Sequence, residues 1–217
     1  MHHRPSPRAA APAAALLAVL GLGAACDLTD PPATTYFDVP IAGESYDDWF
    51  YGPLPNHDVE PDGAEDYLCG VKTIVFRRTT DFLLPSLQEM DQGVDVLAAA
   101  AGEVVRVQDG EPDRNLEYRL QRPGNQVWIR HADGLQTGYR YLKQGSILVG
   151  RGDRVEVGQA IAQAGSSGNS NWPRLGFEVR DPNGDALDPW AGACSGSSTF
   201  WTEQPDYPNE FTVVDLG

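Results

Sequence analysis

The residues best suited to metal chemistry, the histidines, are few and scattered. The sequence contains His2, His3, His57 and His131. A catalytic zinc ion needs about three protein ligands, commonly two or more of them imidazoles, and an open position for water. His2 and His3 lie in a segment that we expect to be cleaved. His57 and His131 form no His-x-His or His-x-x-x-Asp pair, so the sequence predicts no conventional catalytic zinc centre.

Between Gly93 and Pro189 the sequence contains motifs in the order and spacing of one protein family. The motifs are Gly93–Val104, Val127–Gly134, Thr137–Leu142, Gly152–Gln159, Gly165–Asn169 and Leu175–Val179. On these motifs the segment resembles the lysostaphin-type, LytM-like zinc metallopeptidases, which cut peptidoglycan cross-links. The resemblance implies an antiparallel sheet assembly of the duplicated hybrid motif type.

The resemblance also implies where the active site would lie, and the key residues there are replaced. The family has a zinc histidine four residues before a zinc aspartate; here Arg77 takes the histidine position and Asp81 is retained. A later His-x-His reads Arg174-Leu-Gly176, and Tyr141 stands where a further catalytic histidine is normal. We therefore expect a degenerate pocket with no catalytic residue and no bound cofactor, in which Asp81 is the only retained metal-ligand position.

Without a metal ion, a buried Asp81 would need another partner. An ionised carboxylate is costly to bury without a cation or several hydrogen-bond donors. The guanidinium fork of arginine meets a carboxylate well, so one or both of Arg77 and Arg174 could pair with Asp81, with Tyr141 adding a hydroxyl donor. The competing interpretation is that both arginines face solvent and Asp81 is a surface residue.

An active zinc endopeptidase with an unusual site is the alternative. A second alignment frame, Asp91-Gln-Gly-Val-Asp95, also lacks the histidine. Such an enzyme could combine Asp81 with Asp91 or Asp95 and a relocated His57 or His131, but hydrolysis needs an activated water and a general base close together. The spacing of these residues does not assemble such a site.

The first 25 residues follow the pattern of a secretory signal, with a basic start and an apolar run ending in small residues. Cys26 follows Leu-Gly-Ala-Ala, which resembles a bacterial lipoprotein signal, so we expect lipidation of Cys26 and membrane attachment; ordinary cleavage with an unmodified cysteine is the alternative. Cys69 and Cys194 then remain as an even pair in an oxidising compartment, which predicts a disulfide rather than two free thiols.

The charge of the chain excludes one class of partner. The formal net charge is −15, and because residues 1–25 contain two arginines and no acidic residue, it becomes −17 after their removal. Nucleic acid binding needs a concentrated basic surface, so nucleic acid is not an expected partner.

Short apolar runs separated by glycine turns predict an all-β domain with irregular N- and C-terminal extensions. The predicted strands are Ile74–Phe76, Val94–Leu97, Val104–Val107, Leu116–Leu120, Val127–Ile129, Tyr139–Leu142, Ala160–Ala162 and Leu175–Val179. The predicted divisions are a signal peptide at 1–25, a tether and irregular arm at 26–66, the LytM-like domain at 67–195 and a C-terminal extension at 196–217. The aromatic cluster Tyr46–Tyr51 predicts that the arm packs on the domain.

Three functions remain open at this stage. The first is a non-catalytic, membrane-tethered envelope protein that binds peptidoglycan or regulates a cell-wall hydrolase. The second is the unusual zinc endopeptidase described above. The third is a structural or carrier-like β domain, because biotinyl and lipoyl carriers have similar turn motifs; Lys143 is the only lysine between those motifs and lacks a carrier-type context.

Overall fold

An antiparallel β-sheet forms the framework of the computed structural model, which describes residues 34–58, 63–115, 122–195 and 198–207. The strands are β1 (Phe50–Tyr51), β2 (Thr80–Leu83), β3 (Asp95–Leu97), β4 (Gly102–Gln108), β5 (Asn125–Arg130), β6 (Gln136–Leu142), β7 (Arg154–Val155), β8 (Ala160–Gln163), β9 (Arg174–Arg180) and β10 (Ala186–Leu187). One short helix, α1 (Leu87–Gln92), follows β2.

Eight strands form the main sheet, in the order β1-β2-β9-β6-β5-β4-β7, with β10 paired to β9. Strands β3 and β8 form a separate two-stranded sheet, and every pair in both sheets is antiparallel. The all-β prediction is confirmed. None of the helices in the described ranges has the length and apolar character of a membrane span.

Most predicted strands are present, but one is wrong. Ile74–Phe76 forms no strand: Ile74 and Phe76 are exposed, and Phe76 adopts a left-handed backbone conformation at a φ of 63°. The predicted strand Leu116–Leu120 lies outside the described residues. Helix α1, which the strand pattern did not indicate, begins after Ser86, whose side chain accepts a hydrogen bond from the Gln88 amide.

Strand β9 shows how the sheet separates core from site. Successive side chains of a strand point to opposite faces. Leu175, Phe177 and Val179 belong to the hydrophobic core, whereas Arg174, Gly176 and Glu178 alternate with them on the other face. All six residues are buried, so the outer face is itself covered by polar structure.

The segment before β2 contributes to the core. Phe37, Trp49 and Leu54 are buried, and β1 adds an edge strand to the main sheet through the pair Tyr51 and Phe82. This arm is therefore more regular than the sequence indicates, and the expected packing of its aromatic cluster is observed. Trp201, from the segment predicted as a C-terminal extension, is also buried.

The predicted disulfide between Cys69 and Cys194 is present. It joins the chain just before the site to the chain just after β10, across a sequence separation of 125 residues. A cross-link of this span lowers the entropy of the unfolded chain. In the chain-entropy model this stabilises the folded state by roughly 4–5 kcal/mol. The disulfide thus holds the two ends of the domain together on the side that contains β1 and β2.

Candidate functional site

Asp81 lies in the middle of the candidate site. It is a residue of β2, lies opposite Gly176 of β9 in the strand register, and has no exposed surface. A Cβ atom at Gly176 would lie 2.8 Å from Cε2 of Tyr141. Glycine is needed at this position because any side chain would meet the Tyr141 ring, so Gly176 makes room for the groups that surround Asp81.

Two guanidinium groups contact the Asp81 carboxylate. Nη1 of Arg77 lies 3.1 Å from Oδ2 of Asp81, and Nη1 of Arg174 lies 3.2 Å from the same oxygen. The Thr79 hydroxyl donates a hydrogen bond of 2.7 Å to Oδ1. Both arginine side chains are about nine-tenths buried. The structure therefore brings Arg77, Arg174 and Asp81 into one ion-pair cluster.

Opposing effects act on the ionisation of Asp81. Burial raises the pKa of its carboxyl, while Arg174, Arg77 and the Thr79 hydroxyl oppose that increase. Nη1 of Arg77 also donates a long hydrogen bond of 3.4 Å to Oδ1 of Asp81, whereas Oδ2 of Asp81 and Nε of each arginine have no hydrogen-bond partner within the described structure. Charge attraction, more than hydrogen bonding, therefore holds the cluster together.

Tyr141 joins the cluster through its ring. The Cζ atom of Arg174 lies 4.3 Å from the centroid of the Tyr141 ring, a cation–π contact. The expected hydroxyl donation from Tyr141 to Asp81 is not among the hydrogen bonds of the described residues, so that part of the hypothesis is wrong. Tyr141 has a φ of 63°, and this left-handed conformation in β6 turns its ring under Arg174.

The two histidines of the described chain serve other contacts. His131 is buried and forms hydrogen bonds with the Ala101 carbonyl and the Thr137 hydroxyl. Its pKa is lowered, mainly by burial. His57 pairs with Asp188 at 2.5 Å, a hydrogen bond that raises the pKa of the histidine.

The second alignment frame does not form a site either. Asp91, at the exposed end of α1, pairs with Arg114, and Asp95 is exposed on β3. Within the described ranges, no group of three or more histidine, cysteine, aspartate or glutamate side chains lies close enough to hold a metal ion. The arrangement around Asp81 can attract anions and donate hydrogen bonds, because guanidinium groups are donors without acceptor capacity.

A second cluster of charge on the same sheet face was not predicted. Glu178 is buried, and its two oxygens are contacted by Arg140 at 3.0 Å and by Arg180 at 2.7 Å. The Arg180 guanidinium also lies over the Trp128 ring at 4.3 Å. The strand register indicates this cluster, because Gly138 lies opposite both Glu178 and Trp128 and leaves space for the tryptophan ring.

A cleft opens beside Asp81, with a volume of about 370 Å³. Its lining is formed by the segment 74–79 together with Arg140, Tyr141, Asn169 and Arg174. This lining includes four arginines, and none of the described residues that form it is acidic. The cleft is therefore a basic surface on an acidic protein.

Comparison with known proteins gives a consistent family. Residues 87–189 match Peptidase family M23. The murein hydrolase activator EnvC of Escherichia coli is 37% identical over 103 residues, which is 46% of this chain and 22% of EnvC. The DD-carboxypeptidase/endopeptidase Mpg of Neisseria meningitidis is 41% identical over 98 residues, which is 45% of this chain and 20% of Mpg.

These matches span about a fifth of the length of either relative. Among solved structures, the SpoIIQ–SpoIIIAH pore-forming complex contains a chain with a TM-score of 0.50 and 20% sequence identity, covering 72% of this chain and 90% of that chain, which shows a shared fold. The motifs, the antiparallel sheet and the matched profile agree. Residues 87–189, just under half of this chain, are therefore similar to Peptidase family M23.

Proposed function

We propose that this protein is a non-catalytic member of the M23 family that acts in the bacterial envelope, where it binds peptidoglycan or regulates a cell-wall hydrolase. The observation that carries the proposal is the pair of guanidinium groups on Asp81. The similarity to a murein hydrolase activator supports a regulatory role, and the similarity to a DD-carboxypeptidase/endopeptidase supports a role at the cell wall.

Zinc does not fit the residues around Asp81. A catalytic zinc ion would need about two further nitrogen or oxygen ligands beside this carboxylate. Arg77 and Arg174 instead place two fixed positive charges 3.1 and 3.2 Å from the oxygen that would bind it. A dication at that point would be repelled by both groups, and guanidinium nitrogens have no lone pair to offer.

Zinc content and hydrolysis test the absence of catalysis together. The full chain is dialysed against zinc chloride and then buffer, its zinc is measured by mass spectrometry, and purified peptidoglycan is examined for released peptides. We expect zinc well below one ion per chain and no cleavage, beside an active M23 enzyme as positive control. One zinc per chain that disappears in Asp81→Ala, together with cleavage that a chelator stops, would overturn the proposal.

Binding to the wall separates a binding protein from a structural spacer. The full chain is mixed with insoluble peptidoglycan and centrifuged, and we expect it to sediment with the polymer. If it stays in the supernatant, its effect on a cell-wall amidase digesting the same peptidoglycan is measured. A chain that neither sediments nor changes the rate of the amidase is a structural domain, which contradicts the proposal.

We further propose attachment to a membrane through Cys26, which lies outside the described residues. The support is the lipoprotein-like sequence that precedes it. Expression of the wild-type chain and of Cys26→Ser in a bacterium, followed by separation of membranes, tests this attachment. We expect the wild type in the membrane fraction with an acyl mass on its N-terminal peptide, and the variant in the soluble exported fraction. Equal distribution of the two proteins would contradict lipidation.

A further inference from the structure

The cleft beside Asp81 has a net positive charge, because its arginines outnumber the carboxylates that pair with them. Arg77 and Arg174 share the single carboxylate of Asp81, which leaves this cluster with one positive charge in excess. Arg78, next in the chain, is exposed and has no ion-pair partner among the described residues.

The second cluster repeats the pattern at the other side of the cleft. Arg140 and Arg180 share the single carboxylate of Glu178, again with one positive charge in excess. Arg140 meets Glu178 through Nε, so its two terminal amino groups remain available, and its side chain is 36% exposed. Arg140 also lines the cleft. Arg78 and Arg140 therefore both bring free guanidinium donors to this cleft.

These charges are concentrated against the overall balance of the chain, which has a net charge of −15. A basic cleft in an acidic protein attracts anions locally, while the remaining surface repels them.

The rim of the cleft adds an apolar surface to this charge. Ile74 and Phe76 line the cleft and are 51% and 83% exposed. The φ of 63° at Phe76 is uncommon for a bulky residue and holds its ring away from the core. Backbone strain of this kind is found preferentially at binding and switch sites. An apolar side chain of a ligand would cover these two residues while an adjacent anionic group reached the arginines.

Resting on the proposed function, we infer that this cleft binds the free carboxylate of a peptide, held by Arg78 and Arg140 and seated beside the Arg174 guanidinium. A carboxylate suits the site because each guanidinium can donate two parallel hydrogen bonds to it. A small apolar residue carrying that carboxylate would rest on Ile74 and Phe76. The pocket would then use arginine for the recognition of an anionic peptide end, in place of metal chemistry on a peptide bond.

Calorimetric titration of the full chain tests this inference at low ionic strength. The probe is a synthetic Ala-Glu-Lys-Ala-Ala pentapeptide with D-configured glutamate and terminal alanines, compared with the same peptide amidated at its C-terminus and with inorganic phosphate. We expect the free acid to bind at least about tenfold more tightly than the amide, because one charge-assisted interaction is lost. Phosphate should bind more weakly than the free acid because it lacks the apolar contact.

Substitutions locate the binding group. Arg78→Ala and Arg140→Ala should each weaken binding of the free acid about tenfold. Arg151→Ala, an exposed arginine on a turn away from the cleft, is the matched control and should leave affinity unchanged. Circular dichroism of the four proteins checks that each is folded. Arg140→Ala also removes a partner of the buried Glu178, so Arg78→Ala, which has no ion-pair partner among the described residues, is the variant free of that effect on stability.

The outcomes are separable from those of the proposed function. Equal affinity for acid and amide, absence of binding of the free acid, phosphate binding as tight as that of the peptide, or full affinity in both arginine variants would each overturn the inference. A chain that sediments with peptidoglycan but shows any of these results is still a wall-binding protein without a carboxylate site. Zinc-dependent cleavage, in contrast, would overturn the proposed function itself.

Discussion

Removing both positive charges from Asp81 gives a direct test of how the site is held together. In the double variant Arg77→Met/Arg174→Met, the side chains keep similar length but lose their charge. Asp81 has no exposed surface and would retain only the Thr79 hydroxyl as a partner. Breaking a buried ion pair by removing one side typically costs about 3–5 kcal/mol, because a buried charge is left uncompensated.

The pKa of Asp81 sets an upper limit to that cost. The variant can avoid a buried charge by protonating Asp81, whose ordinary pKa is 3.8. Protonation at pH 7 costs about 4 kcal/mol, at roughly 1.4 kcal/mol for each pH unit above the ordinary value. In the variant the folded-state pKa is raised, so stability is complete below the unfolded pKa and is lost as pH rises toward the folded pKa. At pH 4.5 the same cost falls to about 1 kcal/mol.

Urea unfolding followed by tryptophan fluorescence measures the loss of stability in the double variant at pH 7 and at pH 4.5. The control is the triple variant that also carries Asp81→Asn, which should recover most of the loss at pH 7 because no charge remains to be buried. A loss below about 1 kcal/mol at pH 7 would refute the reasoning. So would an equal loss at both pH values, which would point to packing of the methionines in place of charge.

Four further outcomes follow from the same structure. Cys194→Ser should lower the free energy of unfolding by roughly 2–5 kcal/mol in urea titrations. Under reducing conditions that open the disulfide of the wild type, the wild type and the variant should have the same free energy of unfolding. Gly176→Ala should cost about 1–3 kcal/mol in the same assay, since its Cβ would lie 2.8 Å from the Tyr141 ring; no loss would mean that the ring moves freely. His57, with a raised pKa, contributes stability below pH 6.5 that is lost as pH rises through its folded pKa, so His57→Gln should reduce the loss of stability above that pH. His131, with a lowered pKa, contributes stability that is lost as pH falls below 6.5, so His131→Gln should change the slope of stability against pH in the opposite direction.

The sheet was largely predictable from the sequence because its inner strands alternate or are continuously apolar. Strand β9 illustrates this, since Leu175, Phe177 and Val179 show the period of two of a strand with one apolar face. Ile74–Phe76 has a similar apolar content but forms no strand, because the Thr73 hydroxyl and backbone attach to Leu54 and the chain then turns outward. Apolar content alone does not distinguish a core strand from an exposed rim.

The ion-pair cluster was predictable for chemical reasons, but its full membership was not. Arg77 precedes Asp81 by four residues, and both arginines stand at expected metal-site positions, so their approach to a buried carboxylate follows from charge. The role of Tyr141 depends on a left-handed backbone and on the missing side chain of Gly176, and neither can be read from residue type. The Glu178 cluster depends on strand register, which only the fold supplies.

The sheet keeps its apolar core apart from its buried charges because successive side chains of a strand point to opposite faces. On β9, the core side is held by apolar packing of Phe177 against aromatic partners that include Trp201. The outer side needs only that the buried charges of Asp81 and Glu178 be compensated, and arginine does this without an ion. Two guanidinium groups on one carboxylate leave a net positive charge, so the cleft offers an array of anion-binding donors to a ligand.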